Sequence, residues 1–341
     1  MIRLSALLCI VLAAAALAAC GEREEKTTST TAAQPVTLML DYLPNADHAG
    51  IYAAQADGLF ERAKVDLKIE TPSDPAAPLK LLAAGKVDLA ISYEPEVLLA
   101  RDQGLEVVSI AALVQRPLTS VISIKGSGVQ TIRDLRGKKI GTAGIPYQSA
   151  FLKTMLDEAN VEPEDVKEVN VGFNLTPAML SKKVDATLGS FWNYEGVQLE
   201  RRKKDPNIIK VDDAGVPTYN ELVLVARADD LRDRGALIRR TVQAIADGYA
   251  AVKRDPEKAA DQLVAANRDL DKGLQLASIK ATVPVFFPKS ENRPFGFQTT
   301  RDWARFGAWM LQNEMIREPA APGSLTNEFL PGEGLKATSR G

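Results

Sequence analysis

The stretch Leu38–Phe60, LMLDYLPNADHAGIYAAQADGLF, decides the fold. An apolar run over Val36–Leu40 ends in Asp41-Tyr42. The turn Pro44-Asn45-Ala46-Asp47 follows, and a helical segment opens at His48, the sole histidine of the chain. A strand, a polar turn and a helix start form the place where an α/β fold presents a ligand, because the first N–H groups of a helix have no partners within it. An aromatic ring, an amide, a carboxylate and an imidazole all sit in that one turn. The same residues also read as an ordinary turn with Asp47 as the helix cap.

Outward from this unit, β-like runs alternate with helical ones. Strands are expected over 36–41, 65–70, 87–91, 106–112, 119–125, 138–142, 166–171, 185–189 and 208–211, with helices between them. Alternation of this kind predicts an α/β fold with mostly parallel sheets covered by helices. A further strand over Glu221–Arg227 precedes an almost wholly helical remainder, near 234–254, 256–266, 271–282 and 299–313. Pro256, Pro284 and Pro288 are expected to punctuate those helices.

A weak internal repeat suggests two similar lobes. Pro78-Leu79-Lys80-Leu81-Leu82, Lys86-Val87-Asp88 and Ser92-Tyr93-Glu94 parallel Pro177-Ala178-Met179-Leu180, Lys183-Val184-Asp185 and Trp192-Asn193-Tyr194-Glu195. Each copy reads as helix, tight turn, buried strand and an aromatic–carboxylate loop. Ligands of open α/β sheets bind beyond the carboxyl ends of strands, so facing lobes would bring both loops to one site.

The first residues set the expected compartment. Met1-Ile2-Arg3 precedes an apolar run, Leu4–Ala19, that is short for a membrane span and ends in Leu17-Ala18-Ala19-Cys20. Small residues before a cysteine resemble the bacterial lipobox, which would make Cys20 the lipidated first residue after removal of a signal peptide over 1–19. Cys20 would then be the one cysteine left, excluding an intrachain disulfide or a cysteine metal cluster. The polar segment that follows, through residue 35, reads as a tether. A formal net charge of −2, with Arg201-Arg202-Lys203-Lys204 as the longest basic run, argues against nucleic acid as a partner.

Several motifs together resemble a family. They are Asp41-Tyr42-Leu43-Pro44-Asn45 with His48-Ala49-Gly50-Ile51-Tyr52, then Ser92-Tyr93-Glu94-Pro95-Glu96, Gly137-Lys138-Lys139-Ile140-Gly141 with Gly144-Ile145-Pro146, and Trp192-Asn193-Tyr194-Glu195. With the lipobox, they resemble the substrate-binding lipoproteins of ABC importers, and more narrowly the binders of thiamine pyrimidine precursors of the formylaminopyrimidine or hydroxymethylpyrimidine type. The resemblance implies a two-lobe type II periplasmic-binding-protein fold, with lobe I from 36–117 and 222–331, lobe II from 118–221, and a disordered tail over 332–341. It implies a monomer anchored to the cell membrane through Cys20, extracytoplasmic, passing a small aromatic heterocycle to importer membrane subunits, without cofactor or metal. Binders of other flat heterocycles, such as riboflavin, would share the fold. The family also contains a hydroxymethylpyrimidine phosphate synthase, which needs a cofactor-binding lysine where this chain has Ser92 and a histidine where it has Glu96. Serine cannot form a Schiff base, so an enzyme is not expected.

A flat heterocycle needs π-faces and in-plane polar partners. Tyr42 and Trp192 or Tyr194 are the expected faces, with Glu195 as the polar anchor, able to pair with a ring nitrogen and an exocyclic amine. Asn45 and His48 are expected to bond a formyl, hydroxymethyl or amide group, Ser92 and Tyr93 the opposite ring edge. Asn193 completes the second-lobe set, and Gly144 and Tyr147 belong to a loop that opens a helix, where N–H groups could hold an acceptor. Glu94 and Glu96 read as surface or cap residues. Capture by hinge closure is expected, with crossings near Arg116–Val121 and Val216–Val223.

Overall fold

The structure, a computed structural model, describes residues 32–332. Cys20, the expected signal peptide, most of the tether and all of the tail but its first residue lie outside the described residues. Ten strands occur among those described: β1 Gln34–Met39, β2 Val65–Glu70, β3 Leu89–Ser92, β4 Val107–Val114, β5 Thr119–Ile124, β6 Lys139–Thr142, β7 Lys167–Asn170, β8 Ala186–Phe191, β9 Pro206–Lys210 and β10 Leu222–Arg227. Each lies within two residues of its expected span.

The strands form two five-stranded sheets, ordered β2-β1-β3-β10-β4 and β7-β6-β8-β5-β9. The expected parallel pairing holds for β2-β1-β3 and β7-β6-β8. β10 is antiparallel to both β3 and β4, and β5 is antiparallel to both β8 and β9, so each sheet is mixed rather than mostly parallel. The reason is connectivity. The chain steps from β4 directly into the second sheet and returns from β9 into the middle of the first, and neither step carries the crossover helix that parallel neighbours need.

All eight residues of β4 are buried, as are the first five of β10, the continuous apolar pattern of strands covered on both faces. The helix Gly235–Arg254 packs against Ala49–Ala56. Their crossing is close: a Cβ on Gly248 would stand 2.0 Å from the Gly50 carbonyl oxygen. This approach brings the buried Tyr249 beneath the Asn45–His48 turn, where its hydroxyl donates to the Asp47 carbonyl at 2.6 Å. The helix Lys272–Phe286 runs through Pro284 instead of breaking there. Pro284 lies in its last turn, so few hydrogen bonds are lost.

The lobes touch through aromatic side chains. Phe151, on the second-lobe helix Pro146–Glu158, packs edge-on against Trp309 at 5.7 Å between centroids, and within its own lobe against Tyr219 in the return crossing at 5.6 Å. Trp309 belongs to the C-terminal helix Thr300–Gln312.

Candidate functional site

The turn after β1 is held by its own side chains. Asn45 Oδ1 accepts from the Asp47 amide at 2.8 Å, and His48 Nδ1 accepts from the Asn45 amide at 3.2 Å. Asn45, rather than Asp47, therefore caps this helix start, in a reciprocal capping arrangement. With Nδ1 an acceptor, the other ring nitrogen carries the proton and donates from Nε2 to Asp41 Oδ1 at 2.8 Å. Tyr93 donates to Asp41 Oδ2 at 2.8 Å. His48 is fully buried and both its nitrogens are used. It shapes the turn and does not reach the cavity, contrary to expectation.

Above this network lies a pocket between the lobes, taking in about 370 Å³ of empty space and partly open to solvent. The first lobe contributes Asp41, Tyr42, Asn45 and Tyr93. From the second come Ala143, Ile145, Tyr147, Gln148, Leu175, Gly189, Phe191, Tyr194 and Glu195. Tyr42 reaches across to pack edge-on against Phe173 at 4.8 Å. The Tyr93 and Tyr147 rings tilt together at 5.3 Å. Gln148 accepts from the Ala143 amide at 2.9 Å, and its side chain passes Gly189 so closely that a Cβ there would stand 2.1 Å from Nε2. Gly189 also has φ +96°, so glycine is required twice over. Gly144 turns the chain but is not itself part of the wall.

β8 explains the second-lobe face. Gly189 and Phe191 share one side of the strand and face the cavity, so the next residue points elsewhere. Trp192 donates from Nε1 to the Pro117 carbonyl at 3.1 Å and lies under the Lys210 ammonium, 4.5 Å from the ring centroid. It braces the crossing between the sheets, and Phe191 supplies the face expected of it. A single π turn over Trp192–Gly196 then swings Tyr194 and Glu195 back to the wall and buries Asn193. Asn193 donates to Asp47 Oδ1 at 2.6 Å and to Thr282 at 2.7 Å, so it joins the lobes instead of lining the cavity. Ser92 is buried at the end of β3, also outside the wall.

Carboxyls dominate the electrostatics. Glu195 Oε2 accepts from the Phe191 amide at 2.8 Å, yet burial pushes its carboxyl up to about 7. Burial likewise raises the Tyr194 hydroxyl to about 12. Glu96 accepts from the Tyr147 amide at 3.2 Å, so it caps a helix of the opposite lobe, and burial raises it to about 7. Glu94, expected at the surface or as a cap, is buried and accepts from the Asn220 amide and side chain at 2.7 and 2.9 Å. Glu221 accepts from the Leu118 and Thr119 amides and from the Thr119 and Tyr219 hydroxyls, clasping both crossings between the sheets. No lysine or arginine lines the cavity. Its surface of five aromatic rings, two carboxylates and two amides suits a flat, hydrogen-bonding ring that is neutral or cationic. It offers no counter-charge to phosphate and no amine to an aldehyde cofactor.

Residues 45–259 match the model of the "NMT1/THI5 like" family. The chain belongs to the NMT1/THI5-like family. Within it, the formylaminopyrimidine-binding protein of Halalkalibacterium halodurans is 31% identical over 290 residues, 84% of this chain and 88% of its own. A Haemophilus influenzae protein assigned provisionally to thiamine biosynthesis is 39% identical over 203 residues, 60% of this chain and 65% of its own. A 4-amino-5-hydroxymethyl-2-methylpyrimidine phosphate synthase of Saccharomyces cerevisiae is 28% identical over 225 residues, covering 62% and 64% of the two chains. In structure, the periplasmic aliphatic sulphonate binding protein of Escherichia coli aligns with a TM-score of 0.63 at 15% identity, over 84% of this chain and 89% of its own. The NMT1/THI5-like chain thus has the periplasmic-binding-protein fold, two α/β lobes.

Six of the expected residues line the cavity: Tyr42, Asn45, Tyr93, Tyr147, Tyr194 and Glu195. Asp41, Gln148, Gly189 and Phe191 line it without having been singled out. The alternation of β8 was the available signal for the last two. Asp41 and Gln148 stand beside residues that drew notice, but their roles depend on partners distant in sequence.

Proposed function

We propose that this protein is the substrate-binding component of an ABC importer that captures a thiamine pyrimidine precursor of the formylaminopyrimidine or hydroxymethylpyrimidine type. The observation that carries this reading is the cavity between the lobes, walled by aromatic rings and carboxylates and free of basic residues. An aminopyrimidine is flat and presents donors at its edge. Tyr42, Phe191 and Tyr194 give it faces. Glu195 and Asp41 accept from its amine and from a protonated ring nitrogen. Asn45 and Gln148 address the substituent.

In this reading the protein binds and releases its ligand unchanged and works as a monomer. Lobe I comprises 36–117 and 222–331, and lobe II 118–221. The hinge lies in the two crossings, near Arg116–Val121 and Val216–Val223. A lipid on Cys20 would hold the domain at the extracytoplasmic face of the cell membrane, beside the importer's membrane subunits. The relative that binds formylaminopyrimidine supports the ligand class.

The rival reading is a synthase of the yeast type. The spectrum of the protein as purified separates the possibilities. A binder of pyrimidines absorbs as protein alone above 300 nm. An aldimine band would establish the synthase reading, and a flavin spectrum the riboflavin one.

A further inference from the structure

Asp47 and Asn193 meet between the lobes. Asp47 belongs to the turn after β1 and Asn193 to the π turn after β8, and both are fully buried. The Asn193 amide nitrogen donates to Asp47 Oδ1 at 2.6 Å and to Thr282 Oγ1 at 2.7 Å. Thr282 in turn donates to the Ser278 carbonyl at 2.7 Å, fixing it to its helix. Neither residue lines the cavity, but each is one or two positions from residues that do: Asn45 on one side, Tyr194 and Glu195 on the other.

The pair is incompletely bonded as an ion. Asp47 Oδ2 and Asn193 Oδ1 are buried acceptors with no hydrogen-bond partner. An ionised carboxylate with a bare oxygen is costly to bury. A proton on Asp47 removes the charge and turns that oxygen into a donor, beside an amide whose own oxygen lacks one.

We propose that Asp47 and Asn193 form the latch that holds the lobes closed, and that closing takes up a proton on Asp47. Separating the lobes parts the two residues and returns Asp47 to water, where it ionises as an ordinary carboxyl. The proposal rests on lobe closure but not on which ligand the cavity takes.

The surroundings agree with this. Burial pushes the Asp47 carboxyl up to about 7. Asp41 in its own turn and Glu195 in the opposite lobe add to the rise, while the Asn193 hydrogen bond opposes it. The helix Gly235–Arg254 presents the Tyr249 hydroxyl to the Asp47 backbone, the π turn brings Tyr194, and the helix Lys272–Phe286 presents Thr282 rather than a charge.

The sign follows from linkage. The closed form holds the proton to higher pH than the open form. The ratio of closed to open therefore falls by up to about tenfold per pH unit from about pH 4 to about pH 7, then levels.

The test is electron–electron double resonance on the ligand-free full chain. Spin labels are placed at Asp66→Cys on β2 and Lys167→Cys on β7, both exposed, with Cys9 and Cys20 replaced by serine. Distances are taken from pH 4.5 to 8.5. The expected result is loss of the short-distance population as pH rises to about 7. Asp47→Asn, which carries its donor at every pH, should lose one proton's worth of that slope and keep the short population. Asn193→Ala should favour the long distance throughout, with circular dichroism reporting that both variants are folded. A parent distribution that ignores pH, or an Asp47→Asn series with the parent's slope, overturns the proposal whatever the cavity binds.

Discussion

Phe191 donates its backbone amide to the Glu195 carboxylate at 2.8 Å, and both residues line the same cavity. One π turn thus ties the aromatic face of the second lobe to its acid. The hydrogen bond spans four residues and fixes where the carboxylate stands before a ligand arrives, an ordering cost already met in the fold.

Replacing Glu195 by glutamine keeps the size and one acceptor for the Phe191 amide. It removes the charge that a protonated pyrimidine would pair with. Leaving a charge-assisted hydrogen bond unmade costs about 1–3 kcal/mol, so affinity should drop about tenfold to a hundredfold. Thermal unfolding of the ligand-free protein should hardly move. Equal affinity in parent and variant, measured by calorimetry, would assign Glu195 a structural role only.

Phe191 and Trp192 should separate cleanly. Phe191→Ala removes a cavity face and should weaken ligand binding by about 0.5–1.5 kcal/mol beyond the area lost. Trp192→Ala should leave affinity nearly unchanged, because its ring packs under Lys210 and its Nε1 donates to Pro117. Its cost should appear in the melting temperature. Binding lost with Trp192→Ala and kept with Phe191→Ala would reverse the assignment.

Glu221 should be the costliest of the crossing residues to truncate. Alanine strands the buried Leu118 and Thr119 amides together, at about 1–3 kcal/mol for each donor left unpaired. Glutamine can keep one oxygen for those amides and should cost far less. Urea titration of both variants checks this. Equal midpoints for alanine and parent would mean that the crossings are held by something else.

Stability should also depend on pH through the same carboxyl. Burial pushes Glu221 up to about 7 despite its four hydrogen bonds, and pushes Glu94 to about 8. Both lie above the value of about 4.3 for an unfolded glutamate, so the native state binds more protons in between. Stability is therefore full below about pH 4 and declines as pH rises through about 7 to 8. Scanning calorimetry from pH 5 to 9 should give a falling melting temperature, with a shallower fall in Glu221→Gln. A melting temperature that climbs across this range would contradict the assignment.

The strands were legible because their apolar runs are long, separated by turn residues, and regular. The lobes were legible because the helix–Lys-Val-Asp–strand unit occurs twice. What the sequence withheld was direction and partnership. The antiparallel entry of β5 and β10 follows from how the chain crosses between sheets, which no local pattern records. His48 looked like a ligand contact because an imidazole at a helix start can be one. Its burial against Asp41 depends on Tyr93, 52 residues from that aspartate. Trp192 outshone Phe191 by size, although strand alternation from Gly189 already favoured Phe191. Asn193 reads as one polar residue among several until Asp47, 146 positions away, is seen against it.

The most direct test of the capture reading is calorimetric titration of the purified protein with formylaminopyrimidine, hydroxymethylpyrimidine, riboflavin and the free nucleobases. The expected result is saturable one-to-one binding of a thiamine pyrimidine, with the ligand recovered unchanged and flavin binding weak or absent. Saturable binding of riboflavin or a nucleobase with no heat from either pyrimidine precursor would contradict it.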